Sequence, residues 1–230
     1  LSSLFLEDDK VLEADSNLYS MLVSDGNIQL EPIEYDVDEN IELFYNDTTF
    51  KSVRKLAKNI SSSNSGLSIL YGERGNGKTS ILKYIVKKLN KNVIFIPNNL
   101  IDTISNPEFK NFIRTYHDSV LVLDDCEYIF NEFYSKTNTY TNTILQNLDS
   151  ISSLNINYLM IFNSDRDNID SNLLECNNII DIIEFKELDK ESAKELAKHL
   201  GYKDKNINSG RLVDILNKKT TEKVNKIGLS

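Results

Sequence analysis

Residues 67–89 read LSILYGERGNGKTSILKYIVKKL. A short apolar run, a glycine-rich turn and then apolar positions at helical spacing describe a buried strand passing through a tight loop into a helix. The loop, Gly72-Glu73-Arg74-Gly75-Asn76-Gly77-Lys78-Thr79-Ser80, fits G-x-x-x-x-G-K-[ST] with Gly72, Gly77, Lys78 and Thr79 at the required places. Glycines allow the backbone to curl so that several amides point inward at a polyphosphate, and the helix start adds the positive end of its dipole. The expectation is a nucleotide cradle over residues 72–80, with Lys78 bridging the β- and γ-phosphates of ATP and the Thr79 hydroxyl on Mg²⁺. An incidental lysine in a glycine-rich turn is the competing reading; the strand–loop–helix context argues against it.

Working outward, the strand–helix alternation continues. Apolar runs near 93–97, at 119–125 (SVLVLDD), 158–164 (YLMIFNS) and 178–185 (NIIDIIEF) read as strands, and 105–116 and 141–151 read as helices. Strands rich in Val, Ile and Leu without alternation are covered on both faces, which predicts a mostly parallel sheet. The fold class is therefore α/β, a three-layer P-loop NTPase with a parallel five-stranded sheet. Two amphipathic stretches, 189–202 and 209–218, add a small C-terminal helical lid. Upstream, Asp47 caps a helix that is apolar at Phe50, Val53, Leu56, Ala57 and Ile60. Residues 1–45 are acidic, with apolar pieces around a turn at 24–27, and read as a β-rich cap or an extended arm. The expected division is an appendage over 1–45, a nucleotide-binding domain over 46–187 and a partial lid over 188–230.

A hydrolase of this type needs an acid at the end of a neighbouring strand. VLVLDDCE (120–127) supplies Asp124 for the Mg²⁺ shell and Asp125 to polarise water; Glu127 assists or caps the next segment. A solvated acidic turn is the plain alternative. Asn163 ends the fourth strand, where its amide can bond the water or the γ-phosphate, although Asn is also a common turn residue.

Composition narrows the function. The 230 residues carry 35 acids against 26 Lys and Arg, a net charge of −9, so a broad basic nucleic-acid face is disfavoured. Arginine is scarce: Arg54, Arg74, Arg114, Arg166 and Arg211. Cys126 and Cys176 form no disulfide framework, and no apolar run approaches a membrane span of about 20 residues. The acidic start is unlike a signal peptide. A soluble, cytoplasmic protein is expected. His117 and His199 have no partner at ligand spacing.

These residues together resemble the AAA+ ATPases, and within them the narrow AAA family, over about 44–204. YGERGNGKTS is similar to the family's Walker A and LVLDDCE to its Walker B; Asn163, Ile169, Asp170, Leu173, Leu174, Glu184 and Phe185 match the second region of homology. The acid-and-cysteine run looks like members of the mitochondrial-membrane chaperone type and their bacterial and phage relatives. The resemblance implies a nucleotide between subunits of a ring, usually six, with arginines donated in trans, and remodelling or assembly of a protein complex. Where the family carries those arginines stand Glu175, Cys176, Asn177 and Asn178. Three readings stay open: Arg166 substitutes, hydrolysis is weak, or an unlike partner subunit supplies the guanidinium. Arg211 stands where such proteins place a lid arginine, or is an ordinary helix-start residue. Tyr45 to Asp47 stand at the family's adenine contacts. Phe133 and Tyr134 lie in a pore-loop position or in an ordinary loop. A nucleotide-dependent scaffold without hydrolysis, and a DNA motor or loader, are the alternatives.

Overall fold

The structure, a computed structural model, describes residues 17–24, 26–134, 139–150, 154–202 and 207–217. The strands are β1 (Leu18–Ser24), β2 (Asn27–Pro32), β3 (Gly66–Tyr71), β4 (Asn92–Ile96), β5 (Ser119–Leu123), β6 (Asn157–Phe162) and β7 (Ile179–Glu184). The helices are α1 (Asp47–Ser62), α2 (Lys78–Lys88), α3 (Pro107–Thr115), α4 (Thr139–Ser150), α5 (Ser171–Leu174) and α6 (Lys190–His199). A further helical stretch covers 212–217, and a 3-10 helix spans Asn98–Ser105.

One sheet of order β2-β1-β4-β5-β6-β3-β7 runs through the molecule. All its pairings are parallel except β1 with β2. Every residue of β5 and β6 is buried, as their unbroken apolar runs require. On one face α1, α2 and α6 pack through Val53, Leu56, Ile81, Ile85 and Leu196; on the other, Ile101, Phe109, Phe112, Ile144 and Leu148 close the core. This is the three-layer α/β architecture of a P-loop NTPase.

The sheet has seven strands, two more than the sequence predicts. The extra pair comes from residues 18–32, where a hairpin turning at Gly26 (φ 78°) lays β1 against β4, with Leu18 opposite Val93. Leu18, Tyr19 and Met21 are buried, core residues inside an apolar piece (18–23) that stands within an otherwise acidic segment. Asn17 locks the entry, donating from its side-chain amide to the carbonyls of Val86, Leu89 and Lys91 at 3.1–3.3 Å. The earlier part of the expected appendage, residues 1–16, lies outside the described residues.

Element ends differ where polar residues turn the chain. The strand expected over 119–125 stops at Leu123, and Asp125 sits in the left-handed region (φ 51°, ψ 44°). The helix expected from Ser105 begins at Pro107, after Asn106 ends the 3-10 helix.

Candidate nucleotide-binding site

The parallel strands β3, β6 and β5 are neighbours, so their carboxyl ends open on the same edge of the sheet, the usual place for a ligand in such sheets. From β3 issues the Gly72–Gly77 loop, from β6 Asn163, and from β5 Asp124.

The loop is curled by three glycines at positive φ: Gly72 at 135°, Gly75 at 94° and Gly77 at 86°. Gly72 has no room for a side chain, since a Cβ would stand 2.3 Å from the Phe185 carbonyl oxygen. The loop is held from outside. Asn76 donates through its side-chain amide to Phe185 O at 3.0 Å, Gly72 N to Ser164 O at 3.2 Å, and the Tyr45 hydroxyl to Gly77 O at 2.9 Å. The final helical stretch closes over it, with Val213 N donating to Gly75 O at 3.0 Å.

Lys78 begins α2 and is 3% exposed, its amine turned into the loop to donate to Gly72 O at 2.7 Å and Glu73 O at 2.8 Å. Among the described residues no carboxylate lies in ion-pair contact with it. Burial pulls the amine from 10.5 down to about 8, partly opposed by Asp124, Glu127 and Asp125. A buried cation bonded by main-chain carbonyls, with carboxylates near it but none in contact among the described residues, has a place for a phosphate as its direct counter-anion.

The neighbouring Thr79 hydroxyl donates to Asp124 Oδ2 at 2.7 Å. Asp124 also accepts from the Asp125 amide at 2.8 Å. Burial raises its carboxyl pKa, against the lowering effect of these two bonds. A hydroxyl and a desolvated carboxylate in contact form a hard oxygen donor pair that fits Mg²⁺, which keeps much of its own water.

Asp125 turns sideways. It accepts from the Asn163 amide and faces Arg74 at 3.9 Å, an exposed pair of little energetic weight. Glu127 accepts from the Asn163 backbone N–H at 3.1 Å and so fixes the end of β6. Only its position two residues beyond Asp125 hinted at this. Lys78, Thr79, Asp124, Asp125 and Asn163 thus form one continuous cluster.

Other expected residues are placed elsewhere. Arg211 forks onto Asp214, Nε at 2.8 Å and Nη2 at 3.0 Å, within its own helix start. Tyr45 is buried edge-on against Phe185, at 5.8 Å and 89° between ring planes, and Asp47 pairs with Lys51 at 3.3 Å. Arg166 lies close enough to Tyr71 for its charge to lower that hydroxyl's pKa, against the larger raising effect of burial. Phe133 is 86% exposed, while the side chain of Tyr134 and residues 135–138 lie outside the described residues. Cys126 is buried, its thiol donating to Leu123 O at 3.2 Å, and burial pushes its pKa up, away from reactivity. Ser80 is exposed on the first turn of α2.

A model of the family described as ATPase family associated with various cellular activities (AAA) matches residues 68–187, just over half of the chain. No curated protein matches it. No helix among the described residues is long and apolar enough to cross a membrane.

Proposed function

The chain belongs to the AAA family of ATPases, and from that premise we propose that it binds Mg-ATP and hydrolyses it slowly, or under stimulation by a partner, to remodel or assemble a protein complex. The observation that carries this reading is the enclosed Lys78 amine, in contact with no carboxylate among the described residues, beside the Thr79–Asp124 contact. The loop amides and Lys78 hold the phosphates. Thr79 and Asp124 would hold Mg²⁺, whose charge would offset that of the phosphate oxygens. Asp125 acts on the attacking water and Asn163 orients Asp125. Arg211 reaches nucleotide only if its fork to Asp214 opens.

Slow or partner-dependent turnover follows from residues 175–178, where Glu, Cys, Asn and Asn offer no guanidinium to a neighbouring subunit. A ring of like subunits, or one of unlike subunits in which another chain gives the arginine, fits this reading. The narrower kinship with chaperones of the mitochondrial-membrane type, a cytoplasmic setting, and the division at residues 45 and 187 belong to the same proposal. The same arginine-free turn favours a second reading, a nucleotide-dependent scaffold that assembles on ATP without cleaving it.

Phosphate release measured at several protein concentrations, beside sizing with ATP-γ-S, separates the two. Release per subunit that climbs with concentration supports a site completed between subunits, whereas assembly on ATP-γ-S with no release at any concentration supports the scaffold. Labelled ATP held equally well by the Lys78→Ala variant overturns both.

A further inference from the structure

On the face of the molecule carrying α1 and α2, an open groove of about 880 Å³ runs between the two helices, away from the nucleotide loop. Its floor is apolar and aromatic. Phe50 and Tyr84 stand half-buried with ring centroids 5.1 Å apart, and Ala57 lies beside them. Its rim is cationic: Lys51, Arg54, Lys58 and Lys88 are all exposed. Two acids, Glu42 and Asp47, also line it, and Asp47 is engaged with Lys51 at 3.3 Å. Lys88 lies over the Tyr84 ring at 5.5 Å. Arg54 and Lys58 face no carboxylate in ion-pair contact among the described residues. A groove with four cations around two aromatic rings, two of those cations without a carboxylate in contact among the described residues, suits a ligand that carries acids and apolar side chains together.

We propose that this groove is the docking site of the chain's own segment 1–16. That segment reads LSSLFLEDDKVLEADS: Glu7, Asp8, Asp9, Glu13 and Asp15 against the single base Lys10, with Leu4, Phe5, Leu6, Val11 and Leu12 between them. Its charge answers the rim and its apolar residues answer the floor. Its attachment point is close to one end of the groove. Asn17 is fixed to the carbonyls of Val86, Leu89 and Lys91, the same end of α2 that presents Lys88. Sixteen extended residues span roughly 50 Å, about twice the ~24 Å length of α1, so reach is ample. A covalent tether gives such a segment an effective concentration on the order of millimolar, enough for contacts too weak to hold a free peptide.

The test is photo-cross-linking in the full chain, with a benzophenone side chain at position 5 and the products mapped by mass spectrometry. The expected products join position 5 to peptides within 47–62 or 78–88 of the same chain, with a yield that falls about threefold at about 0.5 M salt. Arg54→Glu with Lys58→Glu lowers the yield, as does Glu7→Lys with Asp8→Lys and Asp9→Lys. Combining the two sets restores it, which a merely unfolded variant would not do. Products scattered over the surface overturn the proposal. So do products joining isotopically distinct copies, which would give the groove to a second molecule, and yields indifferent to both charge reversals.

Discussion

The hydroxyl of Thr79, second residue of α2, donates over 2.7 Å to the carboxylate of Asp124, which lies 45 residues later at the end of β5. The helix that follows the phosphate loop is thereby registered against the strand that brings the acid. A cation placed between them would exchange this contact for two of its own.

Replacing Asp124 by Asn keeps an oxygen for Thr79 and removes the charge. Burial lifts the Asp124 pKa above its ordinary 3.8, so the folded state keeps its proton longer than the unfolded chain and loses stability as pH rises above that value. Asp124→Asn is expected to melt higher than the wild type at pH 7. It is also expected to release phosphate on the order of 100-fold more slowly and to bind ATP equally with and without Mg²⁺. Melting curves and nucleotide titrations in EDTA check both.

For Lys78 the sign is reversed. Its amine titrates near 8 in the folded protein and near 10.5 when unfolded. Between those values the unfolded chain holds more protons, so nucleotide-free protein gains stability as pH climbs from about 8 to 10.5, and below 8 the full cost of the buried charge is present. Lys78→Met is expected to abolish that slope, raise the melting temperature at pH 7, and weaken ATP binding at least about tenfold through loss of the charge-assisted phosphate contact. Melts across pH 7–11, with and without ATP, read out all three.

Asn163 holds Asp125 with its side chain and Glu127 with its backbone N–H. Asn163→Ala removes only the first. ATP affinity is expected to stay within about twofold, while phosphate release drops by about 100-fold, the scale for losing one positioned donor. Equal loss in binding and release would assign Asn163 to the phosphates instead.

Gly75 meets the lid. A Cβ there would stand 2.5 Å from Val213 Cγ1, and its φ of 94° disfavours any side chain. Gly75→Ala is expected to destabilise by about 2 kcal/mol, of which Val213→Ala in the same chain restores the steric part and leaves the backbone strain. Denaturant titration of the single and double variants measures the coupling.

The nucleotide loop was legible because its chemistry is local: glycine spacing, a lysine and a hydroxyl within nine residues of sequence. The inner strands β5 and β6 were legible because burial on both faces leaves an unbroken apolar run, as in SVLVL of β5; β7, at the sheet edge and mostly half-buried, was still legible through its isoleucines. What escaped depends on distant pairing. The apolar pieces either side of the turn at 24–27 suggest a β-rich segment, but that Leu18 and Tyr19 pair with β4, some seventy residues on, is disclosed by no local pattern. The Val213–Gly75 hydrogen bond and the Arg211–Asp214 fork arise from how the lid settles, and a lone Gly-Arg step carries no record of either. Asp125 looked like a second strand-end acid; its left-handed backbone turns it toward Asn163 and Arg74.

The antiparallel hairpin of β1 and β2 also governs how the sheet stops. Were β4 outermost, the buried run of Val93, Ile94 and Ile96 would border an unpaired ladder able to recruit another polypeptide. Instead the last strand on that flank, β2, alternates half-buried Ile28 and Leu30 with exposed Gln29 and Glu31 and closes on Pro32, which has no N–H to offer. That margin resists templated growth, and removing the hairpin from this chain would trade a finished border for an aggregation-prone one.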